Sequence, residues 1–132
     1  VRLRQAKVDG IAADLAPLEV EDPGGEARVL VVGWGSSYGP ISAAARRVRL
    51  SGRAVATVHL RHLNPLPSDL GDILRAYDRV IVPEMNLGQL AFILRGKYLV
   101  NCESYSRVRG LPISLSELAE DLIAIIDSEE GR

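Results

Sequence analysis

Short runs of β-branched and aliphatic residues alternate along the chain with segments that are apolar on one side only. The runs are "RVLVVG" (28–33), "AVATVHL" (54–60), "RVIVP" (79–83) and "KYLVNC" (97–102). The segments between them predict helices over about 40–50, 68–77 with Ser68 as its cap, and 87–96. Strands that alternate with helices in this way pair in parallel through right-handed crossovers. The pattern therefore predicts a three-layer α/β sandwich.

Two further helices are predicted at the ends of the chain. Residues 1–17 form a linking N-terminal helix that Pro17 ends, and residues 18–132 form the α/β domain. Ser114 and Glu117 match a capping box ahead of the last helix. Val1 falls inside an apparent helix, so we expect a segment of a longer polypeptide, although removal of an initiator methionine would leave the same end. The apolar stripes of the two helices are Val8, Ile11, Ala12 and Leu15, and Leu115, Leu118, Ala119, Leu122, Ile125 and Ile126.

Composition narrows the class of protein. The 132 residues are 47% hydrophobic and 25% charged, as in globular domains, and the formal net charge of −1 favours neither nucleic acid nor an anionic membrane as a partner. The apolar runs are far shorter than the roughly 20 residues that cross a bilayer. The single cysteine, Cys102, excludes an intrachain disulfide, a four-cysteine zinc site and a self-contained iron–sulfur cluster. We expect a soluble, cytoplasmic protein.

Polar residues cluster where the predicted parallel strands end. The strands are followed in turn by "GWGSSYG", "RHLNPLP", "PEMN" and "ESYS". In open parallel sheets, ligands and partners meet the carboxyl ends of the strands. One edge of the sheet is therefore expected to hold most of the residues that matter for function.

The loop "GWGSSYGP" is compatible with a nucleotide or coenzyme A site, but it departs from the dinucleotide fingerprint. Tyr38 stands where a third glycine is needed, and Arg61 stands where an acidic residue should end the next strand. A tight glycine turn, capped by Ser36 or Ser37 and with Pro40 at the first helical position, explains the loop better. Its free amides could still hold an anion or the carboxylate of a neighbouring domain.

The same loop matches the nucleophile elbow of small serine hydrolases, with Ser37 as the nucleophile. The order serine, acid, histidine cannot be completed, because no acidic residue lies between Ser37 and His59 or His62 and no histidine follows His62. The hydrolase interpretation is therefore the weaker alternative.

The next two loops favour contacts over chemistry. In "RHLNPLP", prolines stiffen a loop that presents Arg61 and His62 and holds Asn64 extended, which suits a protein interface. His59 and His62 would point to opposite faces of a strand, so we expect no shared metal.

In "PEMNLGQL", Asn86 is expected to cap a helix with Gln89 reaching back to it. Glu84 is left without a local role. Because it shares an edge with Arg61 and the glycine turn, we expect it to pair with Arg61 or with the turn's amides.

Four motifs together resemble one family. "VVGWGSSYGPI", "HLRHLNPLP", "VIVPEMNLGQL" and "KYLVN...Y..V.GLP", in this order, resemble the carboxyl-terminal region of the alpha subunit of 2-oxoacid:ferredoxin oxidoreductases, most closely the 2-oxoglutarate enzymes. The last domain of transketolases is a more distant resemblance. The resemblance implies a five-stranded, mostly parallel sheet whose first strand, "PLEVE", is antiparallel to the rest.

The resemblance also implies a reaction for the whole enzyme. 2-Oxoglutarate, coenzyme A and oxidised ferredoxin would yield succinyl-coenzyme A, carbon dioxide and reduced ferredoxin, with thiamine diphosphate, magnesium and an iron–sulfur cluster as cofactors. In this family the cofactors belong to preceding domains of the alpha subunit and to the beta subunit. This domain is therefore expected to hold no cofactor, metal or catalytic residue and to be inactive alone, and a homodimer is compatible with the family. The residues expected in interface or positioning roles are Trp34, Ser36, Arg61, His62, Asn64, Glu84 and Asn86.

Overall fold

The computed structural model describes residues 18–61, 67–84, 89–106 and 113–130. Within these ranges a single sheet has the strand order β1-β3-β2-β4-β5. β1 runs antiparallel to β3, and the other neighbouring strands are parallel. The predicted sheet, including its antiparallel first strand, is confirmed. The strands are β1 (Val20–Glu21), β2 (Val29–Trp34), β3 (Ala56–Leu60), β4 (Arg79–Pro83) and β5 (Cys102–Tyr105).

Four helices of the described ranges cover the two faces of the sheet. α1 (Tyr38–Leu50) and α4 (Leu115–Glu130) pack on the face that presents Val29, Val31 and Ile81. α2 (Leu70–Arg75) and α3 (Gln89–Tyr98) pack on the opposite face. Because β2 and β4 are covered on both faces, they are continuous apolar runs rather than alternating ones. None of the described helices is long and apolar enough to cross a membrane.

The last strand lies later in the chain than the sequence predicts. Lys97 and Tyr98 belong to the end of α3, and β5 begins only at Cys102, so "ESYS" supplies strand residues rather than a loop. The chain reverses at Leu99, which has a φ of +56° and donates its N–H to the carbonyl of Arg95 at 3.0 Å. The prediction of a strand over 97–102 was wrong because helical hydrogen bonding continues as far as the N–H of Leu99, despite the apolar and aromatic character of the segment.

The predicted cap is present at the start of α4 but not at the start of α2. The N–H of Glu117 donates to Oγ of Ser114 at 3.4 Å, so the predicted cap of α4 forms. α2 instead begins at Leu70 after Asp69, which makes no side-chain capping bond. The carboxylate of Asp69 accepts the N–H of Leu18 at 3.0 Å and thereby holds the segment that leads into β1. The predicted linking helix over 1–17 lies outside the described residues.

Candidate functional site

The turn after β2 is closed by one serine. Oγ of Ser37 accepts the N–H of Trp34 at 3.1 Å and donates to the carbonyl of Trp34 at 2.7 Å. A 3₁₀ turn, Gly35–Ser37, carries the chain directly into α1, and Gly35 adopts a φ of +62° that favours glycine. The local role of Ser37 is therefore to fix the exit of β2, and it does not cap α1 through its side chain.

α1 also begins slightly earlier in the chain than the sequence predicts. α1 begins at Tyr38, so Pro40 is the third helical residue rather than the first. Proline is tolerated there because the first turn of a helix has no intrahelical partner for its N–H groups. Ser36 is exposed and makes no contact that fixes the turn.

Gly33 lets the turn approach the neighbouring strand. A Cβ atom at this position would lie 2.6 Å from Cδ1 of Ile41 and 3.2 Å from both Nδ1 of His59 and Oγ of Ser37. Gly33 is the register partner of His59 in β3. The missing side chain of Gly33 thus makes room for the imidazole and for the buried end of α1.

His59 is the residue of this edge that sequence reasoning did not place at the site. Its ring packs edge-on against Tyr38, with centroids 5.1 Å apart and planes at 76°, while Nδ1 is buried and has no hydrogen-bond partner among the described residues. Burial, followed by the charge of Arg61, lowers the pKa of His59, and the nearby Gly35 backbone opposes this shift only in part. The lowered pKa favours the neutral form of the imidazole. Only the strand register, which brings His59 beside Gly33, would have revealed the cluster.

The Ser37 and His59 side chains do not form a nucleophile and base. The hydroxyl of Ser37 donates to the Trp34 carbonyl, and Nδ1 of His59 accepts no hydrogen bond. General-base activation of a serine requires a hydrogen bond between the two groups. The described contacts therefore do not favour the hydrolase alternative.

Trp34, Tyr38 and Arg61 form the exposed part of this edge. Trp34 ends β2 opposite Leu60, and Arg61 follows Leu60 directly, so both residues stand at the carboxyl ends of neighbouring strands. The indole is 44% exposed, and the Tyr38 ring and Arg61 are also exposed. Aromatic residues and arginine are the side chains that most often anchor protein interfaces.

Glu84, the acid that follows β4, is buried, and both of its carboxylate oxygens accept hydrogen bonds. Its Oε1 accepts the N–H of Leu90 at 2.6 Å, its Oε2 accepts the N–H of Ala91 at 3.3 Å, and the residue is only 8% exposed. Its own N–H donates to the carbonyl of Tyr105 at 3.0 Å. Glu84 therefore holds the first turn of α3 and joins it to β4 and β5.

The structure gives Glu84 different partners from those expected. Among the described residues, Glu84 and Arg61 form no ion pair, and the carboxylate binds the amides of α3 rather than those of the glycine turn. A carboxylate at a helix N-terminus satisfies unpaired N–H groups and complements the helix dipole. His62, Asn64 and Asn86 lie outside the described residues. The interface roles of all seven predicted residues stay predictions.

Two of the described groups are candidates for metal or cofactor chemistry, the carboxylate of Glu84 and the thiol of Cys102. No three of the described His, Cys, Asp and Glu side chains could hold a metal ion together. Both oxygens of Glu84 are engaged by helix amides. Cys102 is buried, which raises the pKa of its thiol to about 11.

Comparison with known proteins agrees with this architecture. No family model matches the chain. The chain is 53% identical, over 96% of its length, to the 2-oxoglutarate oxidoreductase subunit KorA of Mycobacterium tuberculosis. It is 38% identical, over 76% of its length, to the 2-oxoacid:ferredoxin oxidoreductase 1 subunit alpha of Aeropyrum pernix. The chain spans only 19% and 17% of the lengths of these two relatives.

Two solved structures share the fold. A 2-oxoglutarate:ferredoxin oxidoreductase from Magnetococcus marinus, with 2-oxoglutarate, coenzyme A and succinyl-CoA bound, superposes with a TM-score of 0.85 at 29% identity, covering 95% of this chain and 22% of that one. A split-gene transketolase, an inactive beta4 tetramer, superposes with a TM-score of 0.53 at 21% identity, covering 83% and 40%. The mixed sheet and its helix layers define a transketolase C-terminal-domain-like α/β domain. Within that class, the chain belongs to the alpha-subunit family of the 2-oxoacid:ferredoxin oxidoreductases.

Proposed function

We propose that this chain is a structural and interface domain of a thiamine-diphosphate-dependent 2-oxoacid:ferredoxin oxidoreductase and is not catalytic alone. The whole enzyme would convert 2-oxoglutarate, coenzyme A and oxidised ferredoxin to succinyl-coenzyme A, carbon dioxide and reduced ferredoxin. The observation that carries the proposal is the commitment of Glu84, the buried acid of the edge, to the amides of Leu90 and Ala91. Both oxygens of this carboxylate accept backbone N–H groups, which gives the acid a structural role.

The exposed carboxyl edge supports an interface role. Ser37 and Glu84 each have a structural hydrogen-bonding role, which leaves the aromatic rings of Trp34 and Tyr38 and the guanidinium of Arg61 facing outward. Exposed tryptophan and arginine side chains are typical anchors of protein interfaces. We assign this surface to contacts with the preceding domains of the same alpha subunit.

The remaining parts of the enzyme are proposed to lie outside this chain. Thiamine diphosphate, magnesium and the iron–sulfur cluster would be held by the preceding domains and the beta subunit, in the cytoplasm, and coenzyme A and ferredoxin would be substrates of the whole assembly. Thiamine diphosphate supplies the carbanion chemistry when bound. The role of this chain would be to position the neighbouring domains relative to one another.

A cofactor titration tests the first half of the proposal. The purified chain, shown by circular dichroism to be folded, is titrated by calorimetry with thiamine diphosphate and magnesium, and we expect no saturable heat. Micromolar binding of the cofactor would overturn the proposal. Titration with coenzyme A and with NADP tests in the same way the alternative that "GWGSSYG" is a nucleotide or coenzyme site.

A labelled tryptophan tests the second half of the proposal, the interface role of the carboxyl edge. Trp34 is the only tryptophan of the chain, so incorporation of 5-fluorotryptophan gives a single ¹⁹F resonance at the proposed interface. Addition of the rest of the alpha subunit, produced separately, is expected to shift or broaden this signal. Arg61→Ala should weaken the association, whereas Arg46→Ala, an exposed position on α1, should not. Association that leaves the Trp34 signal unchanged would contradict the assignment.

A further inference from the structure

The end of α3 carries an unfavourable feature that the fold does not need. Leu99 adopts a φ of +56° and is 90% exposed, while its N–H closes the helix on the carbonyl of Arg95. Glycine is the usual residue at this position, because a Cβ disfavours the left-handed conformation. A leucine at this position therefore destabilises the fold in two ways, through its strained backbone and through its exposed apolar surface. Within the described residues, no packing contact of the side chain offsets either term.

α3 itself presents further exposed apolar side chains. Phe92 is 73% exposed, Ile93 is also exposed, and a Cβ built at Gly96 would meet nothing within 4 Å. Phe92 and Gly96 lie one helical turn apart on α3, and Leu99 follows directly after the last residue of the helix. We call Phe92, Ile93, Gly96 and Leu99 the α3 outer face. Its exposed area is on the order of a few hundred Å², the size at which apolar patches on monomers often have a function.

The core does not require the α3 outer face. α3 already buries Leu90, Ala91 and Leu94 against the sheet. A surface helix normally has one apolar stripe toward the core and a polar side toward solvent. α3 therefore has a second apolar stripe with no partner among the described residues.

Positive charge flanks the α3 outer face. Arg95 and Lys97 are exposed, and among the described residues neither has a carboxylate within 4 Å. Lys97 lies over the ring of Tyr98, 5.7 Å from its centroid. The charge complementary to this rim is negative. Two copies of the face, packed against each other, would instead bring like charges together, which disfavours a second copy of the chain as the occupant.

We propose that the α3 outer face docks an amphipathic helix of another polypeptide, one whose apolar stripe is flanked by carboxylates. Phe92 and Leu99 would anchor the apolar contact, Gly96 would allow close approach of the partner backbone, and Arg95 and Lys97 would pair with the carboxylates. The proposal goes beyond the interface assigned above, because α3 runs away from the carboxyl edge and Leu99 lies near its opposite end, just before β5.

Matched peptides test the charge and the position of this surface. Two synthetic helical peptides share one leucine stripe, and one is flanked by glutamates, the other by lysines. In ¹⁵N-detected NMR titrations of the whole chain, we expect the acidic peptide to bind, to shift resonances of residues 89–99 and to weaken with added salt. The basic peptide should bind at least tenfold more weakly. Equal binding of both peptides, binding of neither, or shifts that map elsewhere would overturn the proposal.

Variants identify the anchors. Phe92→Ser should lower the affinity for the acidic peptide at least tenfold. Leu50→Ser is the matched control, because Leu50 is a 78% exposed leucine at the end of α1, and it should leave the affinity unchanged. Sedimentation showing a dimer that Phe92→Ser dissociates would overturn the proposal in favour of a second copy. Peptide binding that appears only after removal of residues 1–17 would overturn it in favour of this chain's own segment.

Leu99→Gly separates a docking role from a structural one. Glycine keeps the N–H bond to Arg95 and relieves the strain, so the melting temperature should rise by about 2 °C or more. The affinity for the acidic peptide should fall at the same time, at least fivefold. A lower melting temperature, or an unchanged affinity, would show that the leucine serves the fold and would overturn its role as an anchor.

Discussion

Oε1 of Glu84 accepts the backbone N–H of Leu90 at 2.6 Å, so a carboxylate at the end of β4 fixes the first turn of α3. The second oxygen accepts the N–H of Ala91, and the backbone N–H of Glu84 binds the carbonyl of Tyr105. Three elements therefore meet at one residue. The position of α3, and with it the α3 outer face, depends on this contact.

Removal of the Glu84 carboxylate should destabilise the fold. Glu84→Ala leaves two helix amides without an acceptor in a buried place, so we expect the free energy of unfolding to fall by about 2–3 kcal/mol, and by about 1–2 kcal/mol for Glu84→Gln, which keeps one acceptor. Urea denaturation followed by circular dichroism measures both. Glu19→Gln, at an exposed position, is the control and should lie within about 0.5 kcal/mol of the parent. Unchanged stability of Glu84→Ala would contradict the capping role.

The two serines of the glycine turn should respond differently to substitution. Ser37→Ala removes both hydrogen bonds to the Trp34 backbone, and we expect a loss of about 1 kcal/mol in unfolding free energy. Ser36→Ala, one residue away and exposed, should have no measurable effect. A fluorophosphonate probe should label neither serine in the parent chain. Labelling of Ser37 would revive the hydrolase interpretation.

Gly33→Ala should introduce a specific clash. The new Cβ would lie 2.6 Å from Cδ1 of Ile41, so we expect a destabilisation of about 1–3 kcal/mol. Ile41→Val removes that Cδ1 atom, and the double variant should therefore be less destabilised than the sum of the two single variants. A strictly additive double-mutant cycle would show that the clash lies elsewhere.

Gly39 provides the control for this substitution. It is a helical glycine in α1 with open space around its Cβ position. Gly39→Ala should therefore leave stability unchanged or raise it by up to about 1 kcal/mol, since alanine favours the helix.

The half-buried imidazole of His59 predicts a pH dependence of stability. Because the pKa in the folded state is lower than in the unfolded state, the unfolded chain binds more protons, and stability falls as the pH decreases from near 6.5 toward the folded-state pKa. In His62→Gln, which leaves a single histidine, the NMR titration midpoint of His59 should lie below 6.5. Arg61→Gln should raise this midpoint, because the neighbouring charge is one cause of the shift. A midpoint at or above 6.5 in His62→Gln would contradict the buried placement.

Much of the fold follows from local sequence signals. The β-branched runs mark β2, β3 and β4 to within two residues at each end, and the capped apolar stripe marks α4. These signals depend on neighbouring residues and on burial of one face, so they are readable along the chain. The antiparallel pairing of β1 came from the family resemblance, because a strand of two residues has no period of its own.

The arrangement of the candidate site depends on contacts between residues that are far apart in the sequence. The sequence by itself determined the α/β class and showed that the order serine, acid, histidine cannot be completed after Ser37. Tertiary structure decided that Glu84 binds α3, that His59 lies beside Gly33 and that β5 begins at Cys102. Strand register and helix position set these relationships, and both result from packing of the whole core. Local propensity cannot specify which of several available partners a buried polar group will meet.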